Sequence, residues 1–160
     1  MFELFKTAPY HDEVLGDLTR SGRQWKGSLS LGPHGIVELI VSGVRTRPDS
    51  ASLALARELP EKYEALRPVI QASLFEHYEP GREAVEEGAF PQHVEPFPEI
   101  ANSEAIWPYV AIALVRIGPL LTAGQMADTI EVAYKVEWDE EHTLGARIQE
   151  WRLVELCGSV

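Results

Sequence analysis

Apolar and polar residues alternate in the first third of the chain, recur at helical spacing in the second, and alternate again in the last. From Gln24 to Leu31, Trp25, Gly27, Leu29 and Leu31 fall on one side and Lys26, Ser28 and Ser30 on the other. That period of two marks a strand with one buried face. Gly32-Pro33-His34-Gly35 is a turn written in breaker residues, and Ile36 to Val41 continues as a β-branched run, so the two segments predict a hairpin. Val14 to Leu18 is expected beside it, and Phe2 to Lys6 as a further short strand.

Pro48-Asp49-Ser50 closes this region and supplies a helix start, with Asp49 or Ser50 able to accept from free backbone N–H groups. Leu53, Ala54, Ala56, Leu59, Tyr63, Leu66, Ile70, Leu74 and Tyr78 then follow at steps of mostly three or four, one apolar stripe on a helix running to about Tyr78. Pro60 can open a new helix, where its missing N–H costs nothing, whereas Pro68 lies inside the pattern and predicts a kink. Pro80-Gly81 is the expected stop, with one or two more turns over Arg82 to Glu87. The X-Pro steps between Gly88 and Glu99 favour extended backbone draped over the core, and Ser103 to Trp107 predicts a short helix.

Val110 to Ile117 is a nearly unbroken apolar run ended by Gly118-Pro119, the pattern of a strand buried on both faces. Thr129 to Trp138 alternates cleanly: Ile130, Val132, Tyr134, Val136 and Trp138 face one way, and Thr129, Glu131, Ala133, Lys135 and Glu137 the other. After a short loop, Leu144, Ala146 and Ile148 repeat the alternation, and Leu153 to Cys157 closes a three-strand meander. Strands, helix, strands is not the alternating order of a doubly wound sheet. The expected architecture is α+β: an antiparallel sheet, made of the N-terminal hairpin and the C-terminal meander, with a kinked central helix packed on one face.

At 160 residues the chain can bury roughly 70% of its extended-chain surface, enough for one core, so residues 1–160 are expected to form a single domain. Its one cysteine, Cys157, has no internal partner and fits a small buried hydrophobe in a reducing compartment. No leader-like N-terminus and no apolar run of membrane-spanning length is present, so a cytoplasmic chain with no membrane partner is expected. The net charge of −11 is uneven: residues 1–80 carry −2 and residues 81–160 carry −9. Such a surface repels phosphate backbones, which argues against nucleic acid, and attracts a basic protein partner.

The densest chemistry is the run Trp138-Asp139-Glu140-Glu141-His142, expected as a solvated loop between two strands. Asp139, Glu141 and His142 offer oxygen and nitrogen donors for a cation, or a carboxylate–imidazole pair for acid–base work, but without the alternate-ligand spacing of a calcium loop. The binding residues expected are therefore Trp138, Asp139, Glu140, Glu141 and His142, together with Trp151 at a hairpin turn as an interface anchor. His77, between Glu76 and Glu79 near the helix end, would join this set only if folding brought it to His142. His11, His34 and His93 lie in loop-like contexts and are expected to be solvated. No zinc-protease, phosphate-loop, nucleophile-elbow or paired-cysteine motif occurs, and no cofactor is implied.

The block from Tyr134 to Gly145 resembles a Trp-Asp-x-Glu-His-x-Leu-Gly turn found in certain bacterial domains of unknown function, some of whose relatives are regarded as immunity proteins of toxin systems. The resemblance implies an α+β domain and no established activity. Two functions are thus open: a small acidic binding protein, of immunity-inhibitor type, and a metal-assisted hydrolase using Asp139, Glu141 and His142. A third is an oligomeric accessory protein joined through Trp151.

Overall fold

A computed structural model describes residues 7–88 and 97–158 of the chain. Eight strands run in the order β1 (Tyr10–Asp12), β2 (Gly16–Ser21), β3 (Gln24–Ser30), β4 (Ile36–Ser42), β5 (Val110–Thr122), β6 (Gln125–Val136), β7 (Asp139–Gln149) and β8 (Arg152–Gly158), with one long helix, α1 (Ser50–Glu86), between β4 and β5. They form one sheet in which spatial order equals chain order. The strand expected at Phe2 to Lys6 and the loop residue His93 lie outside the described residues, as does most of the stretch between Gly88 and Glu99.

The fold is α+β, and the sheet dominates it. The expected hairpin is β3–β4, with Trp25 opposite Val41 and Leu29 opposite Val37. Its third neighbour begins at Gly16 rather than Val14, which lies in the preceding turn and is 67% exposed. The sheet departs from a wholly antiparallel one at its centre, where β4 and β5 pair in parallel with Leu39 opposite Val115 and Val41 opposite Ile117. A parallel pair needs a long crossover, and α1 supplies it. Across this seam Gly118 faces Ser42 so closely that a Cβ on the glycine would lie 1.9 Å from the Ser42 hydroxyl oxygen.

Asp49 caps α1, its carboxylate accepting from the Ser52 backbone N–H at 3.0 Å. The stripe Leu53, Ala56, Leu59, Tyr63, Leu66, Ile70, Leu74 and Tyr78 is buried throughout. Its partners in one core are Val115 and Ile117 of β5, Ile130, Val132, Tyr134 and Val136 of β6, and Leu144, Ala146 and Ile148 of β7. Burial of each large side chain contributes about 2 kcal/mol. The helix neither restarts at Pro60 nor stops at Pro80-Gly81, but runs through Pro60, Pro68 and Pro80 to Glu86. All three prolines are exposed. Each removes a single backbone bond, and for Pro68 and Pro80 the residue four positions earlier, Glu64 and Glu76, is exposed as well, so the loss falls on the wet side of the helix.

Four further expectations are corrected. The region from Ser103 to Trp107 forms two short 3-10 turns, Ser103–Ala105 and Trp107–Tyr109, instead of one helix. Strand β5 passes Gly118-Pro119 and continues to Thr122. It is not buried on both faces: Val115 and Ile117 face the helix, while Ala111 is exposed. The acidic run after Trp138 is not a loop, because β7 starts at Asp139.

Near the β1 edge the buried Asp12 carboxylate ties three elements together. It accepts from the Val14 and Leu15 backbone N–H groups, both at 2.9 Å, and from Arg57 Nε of α1 at 2.9 Å. The Arg57 guanidinium outweighs burial and, with the two backbone donors, holds the Asp12 pKa at about 2. A depressed carboxylate pKa stabilises the fold above the ordinary carboxylate range and loses that stabilisation as the pH falls toward 2. Asp12→Asn is expected to cost about 2 kcal/mol at pH 7, and the gap to the natural chain should narrow as urea midpoints are followed down from pH 5 to pH 2.5.

Candidate functional site

The cleft that gathers the acidic residues sits at one end of β5, β6 and β7. Strand β6 ends at Val136, and Glu137-Trp138 turn the chain directly into β7. Trp138 fixes this turn from inside: its indole is 6% exposed and stands edge-on to Tyr78, with ring centres 5.6 Å apart. Its Nε1–H donates to His77 Nδ1 at 3.0 Å. An indole can only donate, so His77 must present a lone pair at Nδ1 and carry its proton on Nε2. Partial burial lowers the His77 pKa; the nearby Asp139 carboxylate acts against that shift and His142 adds to it. The fold therefore does place His77 in the electrostatic reach of His142.

Asp139 orders the start of β7. Its Oδ1 accepts from the His142 backbone N–H at 3.2 Å and from the His142 ring Nδ1 at 2.9 Å. Glu140 and Glu141 are exposed. The adjoining cleft holds about 400 Å³, with Pro108, Tyr109, Val110 and Val136 among its apolar lining and Lys135, Glu137, Asp139, Glu140, His142 and Thr143 as polar lining. Glu141 does not line it. Among the described residues no three His, Cys, Asp or Glu side chains are grouped to hold a metal ion. The Asp139–His142 pair could orient an imidazole for proton transfer, but the third donor expected from Glu141 does not join it.

Trp151 lies elsewhere. It occupies the β7–β8 turn with Glu150, at the opposite end of β7 from Asp139, and an 11-residue strand spans roughly 35 Å. Both turn residues have left-handed backbone, φ 50° at Glu150 and 60° at Trp151. The Trp151 ring is half-buried beside the core, with Lys62 Nζ of α1 at 5.9 Å from its centre. The six expected binding residues thus divide into two separate places.

Two polar groups escaped sequence reasoning. On the face of the sheet away from α1, a cross-strand row runs Lys26, Ile40, Arg116, Glu131, Arg147, Glu155. Alternation sends Glu131 toward solvent, yet it is 1% exposed because two arginines lie over it. Arg116 Nη1 donates to Oε1 at 3.0 Å and Arg147 Nε to Oε2 at 2.8 Å. Arg147 also reaches Glu155 at 3.2 Å and the Leu121 carbonyl at 2.8 Å. Leu121 is five residues beyond Arg116, roughly 17 Å of strand, so the far part of the β5–β6 hairpin curls back across this face. The signal was present in the sequence as Arg116 inside an otherwise apolar run. Cys157 shares the face, half-buried, with burial raising its thiol pKa.

The second group is a hydrogen-bonded chain beneath the helix. Tyr63 and Tyr134 hydroxyls lie 2.7 Å apart, and Tyr63 Oη is 3.1 Å from His34 Nε2. Burial pushes Tyr63 up to about 12 and Tyr134 well above the usual phenol value. Both hydroxyls donate if Tyr134 gives to Tyr63 and Tyr63 to a neutral His34. Burial, aided by Arg67, lowers the His34 pKa accordingly. His34 is therefore not the solvated loop histidine expected of it, whereas the exposed His11 pairs with the exposed Asp17.

Strands β2 to β8 and the helix between them all fall within one family match. The chain belongs to a family defined by a domain of unknown function, DUF6985, whose model matches residues 14–159. No curated protein and no solved structure matches the chain. No helix among the described residues is long and apolar enough to cross a membrane.

Neutral His34 and His77 are both favoured by folding, so their contribution is complete above pH 6.5 and declines as the pH falls through their lowered folded values. Protonating His77 removes the acceptor for Trp138. The Trp138 indole N–H resonance is expected to move below pH 6.5, to be insensitive to pH in His77→Gln, and to keep its pH dependence in His142→Gln, as two-dimensional NMR would show.

Proposed function

We propose that this domain is a binding protein of the cytoplasm whose acidic end takes a basic protein partner. The observation that supports this reading most is the cleft at the start of β7, where an apolar lining is edged by the carboxylates of Glu137, Asp139 and Glu140, which outnumber the cation Lys135. Apolar contact supplies affinity there, and the carboxylates steer a cationic surface and reject an anionic one. Trp138 serves as the buried anchor of the turn, so its role in binding is to hold the carboxylates in place. Glu141 adds charge beside the cleft, and Trp151 belongs to the core at the far end of β7. A partner of this charge suits an immunity-type inhibitor of a basic toxin domain, the role suggested by the likeness of the Trp138–Gly145 turn. The metal-assisted hydrolase reading is weaker, since only Asp139 and His142 are in contact.

Affinity purification from the native host, with the captured protein identified and its binding measured, tests this. The expected partner is basic, and its association slows about tenfold or more between low and high salt. The combined variant Asp139→Asn, Glu140→Gln, Glu141→Gln is expected to weaken it by a similar factor while melting as the natural chain does. A partner whose binding is indifferent to salt and to the triple variant overturns the proposal.

A further inference from the structure

The face of the sheet opposite α1 carries a second feature that the acidic end does not explain. A shallow hollow of about 300 Å³ lies on it, lined by Ala113, Leu114, Arg116, Ala133, Lys135 and Thr143. Its only charged lining residues are cations, in a half of the chain whose net charge is −9. Cross-strand register explains the shape. Leu114 stands opposite Ala133 and Ala133 opposite Gly145, after an irregularity in β5 that leaves Ala113 unpaired in the ladder. Small side chains there leave a trough between the longer ones on either side.

The two cations differ in how far they are committed. Arg116 gives Nη1 to Glu131, and its remaining N–H groups make no hydrogen bond among the described residues. Its side chain is 31% exposed, enough for those donors to meet a ligand. Lys135 is exposed and has neither an ion pair nor a hydrogen bond among the described residues. The acid closest in the network, Glu131, is already engaged on both oxygens by Arg116 and Arg147, so it neither competes for Lys135 nor repels an incoming anion at full strength. A planar fork of donors beside a mobile ammonium is the donor set that oxyanions favour. Thr143, opposite Lys135 across β6 and β7, adds a hydroxyl at the edge.

We propose that this hollow is a binding site for an oxyanion, a carboxylate or phosphate group of a small ligand, held by Arg116 and Lys135. It does not rest on the basic partner proposed above and uses none of the carboxylates at the cleft, but it adjoins that cleft. Lys135 lines both the hollow and the cleft, so a bound anion would sit beside the acidic end and add to its negative field.

Titration of the isotope-labelled chain with inorganic phosphate and, separately, with succinate at constant ionic strength tests this through backbone amide shifts. Saturable movement of Ala113, Ala133 and Thr143, with Ser28 on β3 unmoved, is expected for at least one anion. Movement with phosphate alone marks a phosphate ligand; movement with succinate alone or equally with both marks a carboxylate one. Lys135→Gln is expected to weaken binding about tenfold, the value of one charge-assisted contact, and Lys26→Gln, on the same face but beyond Ile40, to leave it unchanged. Absence of saturable shifts with both anions, or equal affinity in Lys135→Gln, overturns the proposal.

Discussion

The apolar stripe of α1 and the apolar face of the sheet are each unstable in water, and each covers the other. Eight stripe residues, from Leu53 to Tyr78, are buried at helical spacing over most of the length of the helix. Because they must meet β5, β6 and β7 together, the stripe sets where every polar group beneath the helix can go. Tyr63 is placed to meet Tyr134, Tyr78 to meet Trp138, and His77, one residue beside the stripe, to take the Trp138 indole proton. The acidic end is thereby anchored to the centre of the molecule through a tryptophan. Three prolines are tolerated in such a helix because their rings sit on its exposed side, away from the buried stripe.

The other face of the sheet has no helix over it among the described residues, and a different kind of interaction holds it. Glu131 loses nearly all its solvent to Arg116 and Arg147, so the strands are joined there by a row of alternating charge. Breaking such a row by removing its centre leaves Arg116 without its acceptor and Arg147 with Glu155 and the Leu121 carbonyl, a larger loss than the row's net contribution to stability. The curl of the β5–β6 hairpin over Arg147 follows from the same row. Around it the small residues Ala113, Ala133 and Gly145 keep the surface low, which is why ionic contacts and open hollows share one face.

How much of this was legible in the sequence depends on the range of the interaction responsible. The β3–β4 hairpin, the helical stripe and the buried side of β6 follow from periodicity, because each needs only that apolar residues face one way. The parallel seam between β4 and β5 was missed, since no local pattern records which strands will be neighbours across a crossover. Glu131 was assigned to water for a related reason: period two fixes its side of the sheet but not the two arginines that arrive from adjacent strands. The helix end was misplaced because Pro80-Gly81 is a local stop that continued packing overrides; the Tyr78 hydroxyl beside it accepts from the Ile100 backbone N–H and donates to the Pro98 carbonyl. Of the acidic end, the residues were visible, but not their division between a buried tryptophan, a cleft and a distant second turn.

The seam between β4 and β5 has a consequence for how the chain comes together. Every other neighbouring pair is antiparallel and joined by a short turn, so the two ribbons on either side of the seam can zip locally and fast. Neither ribbon can shelter the long amphipathic rod that joins them, and the rod has no shelter without both. Cleaved within the rod-to-ribbon connection, the polypeptide would leave two pieces that are each sticky and unfinished, yet complementary: mixed, they would reassemble as a non-covalent pair.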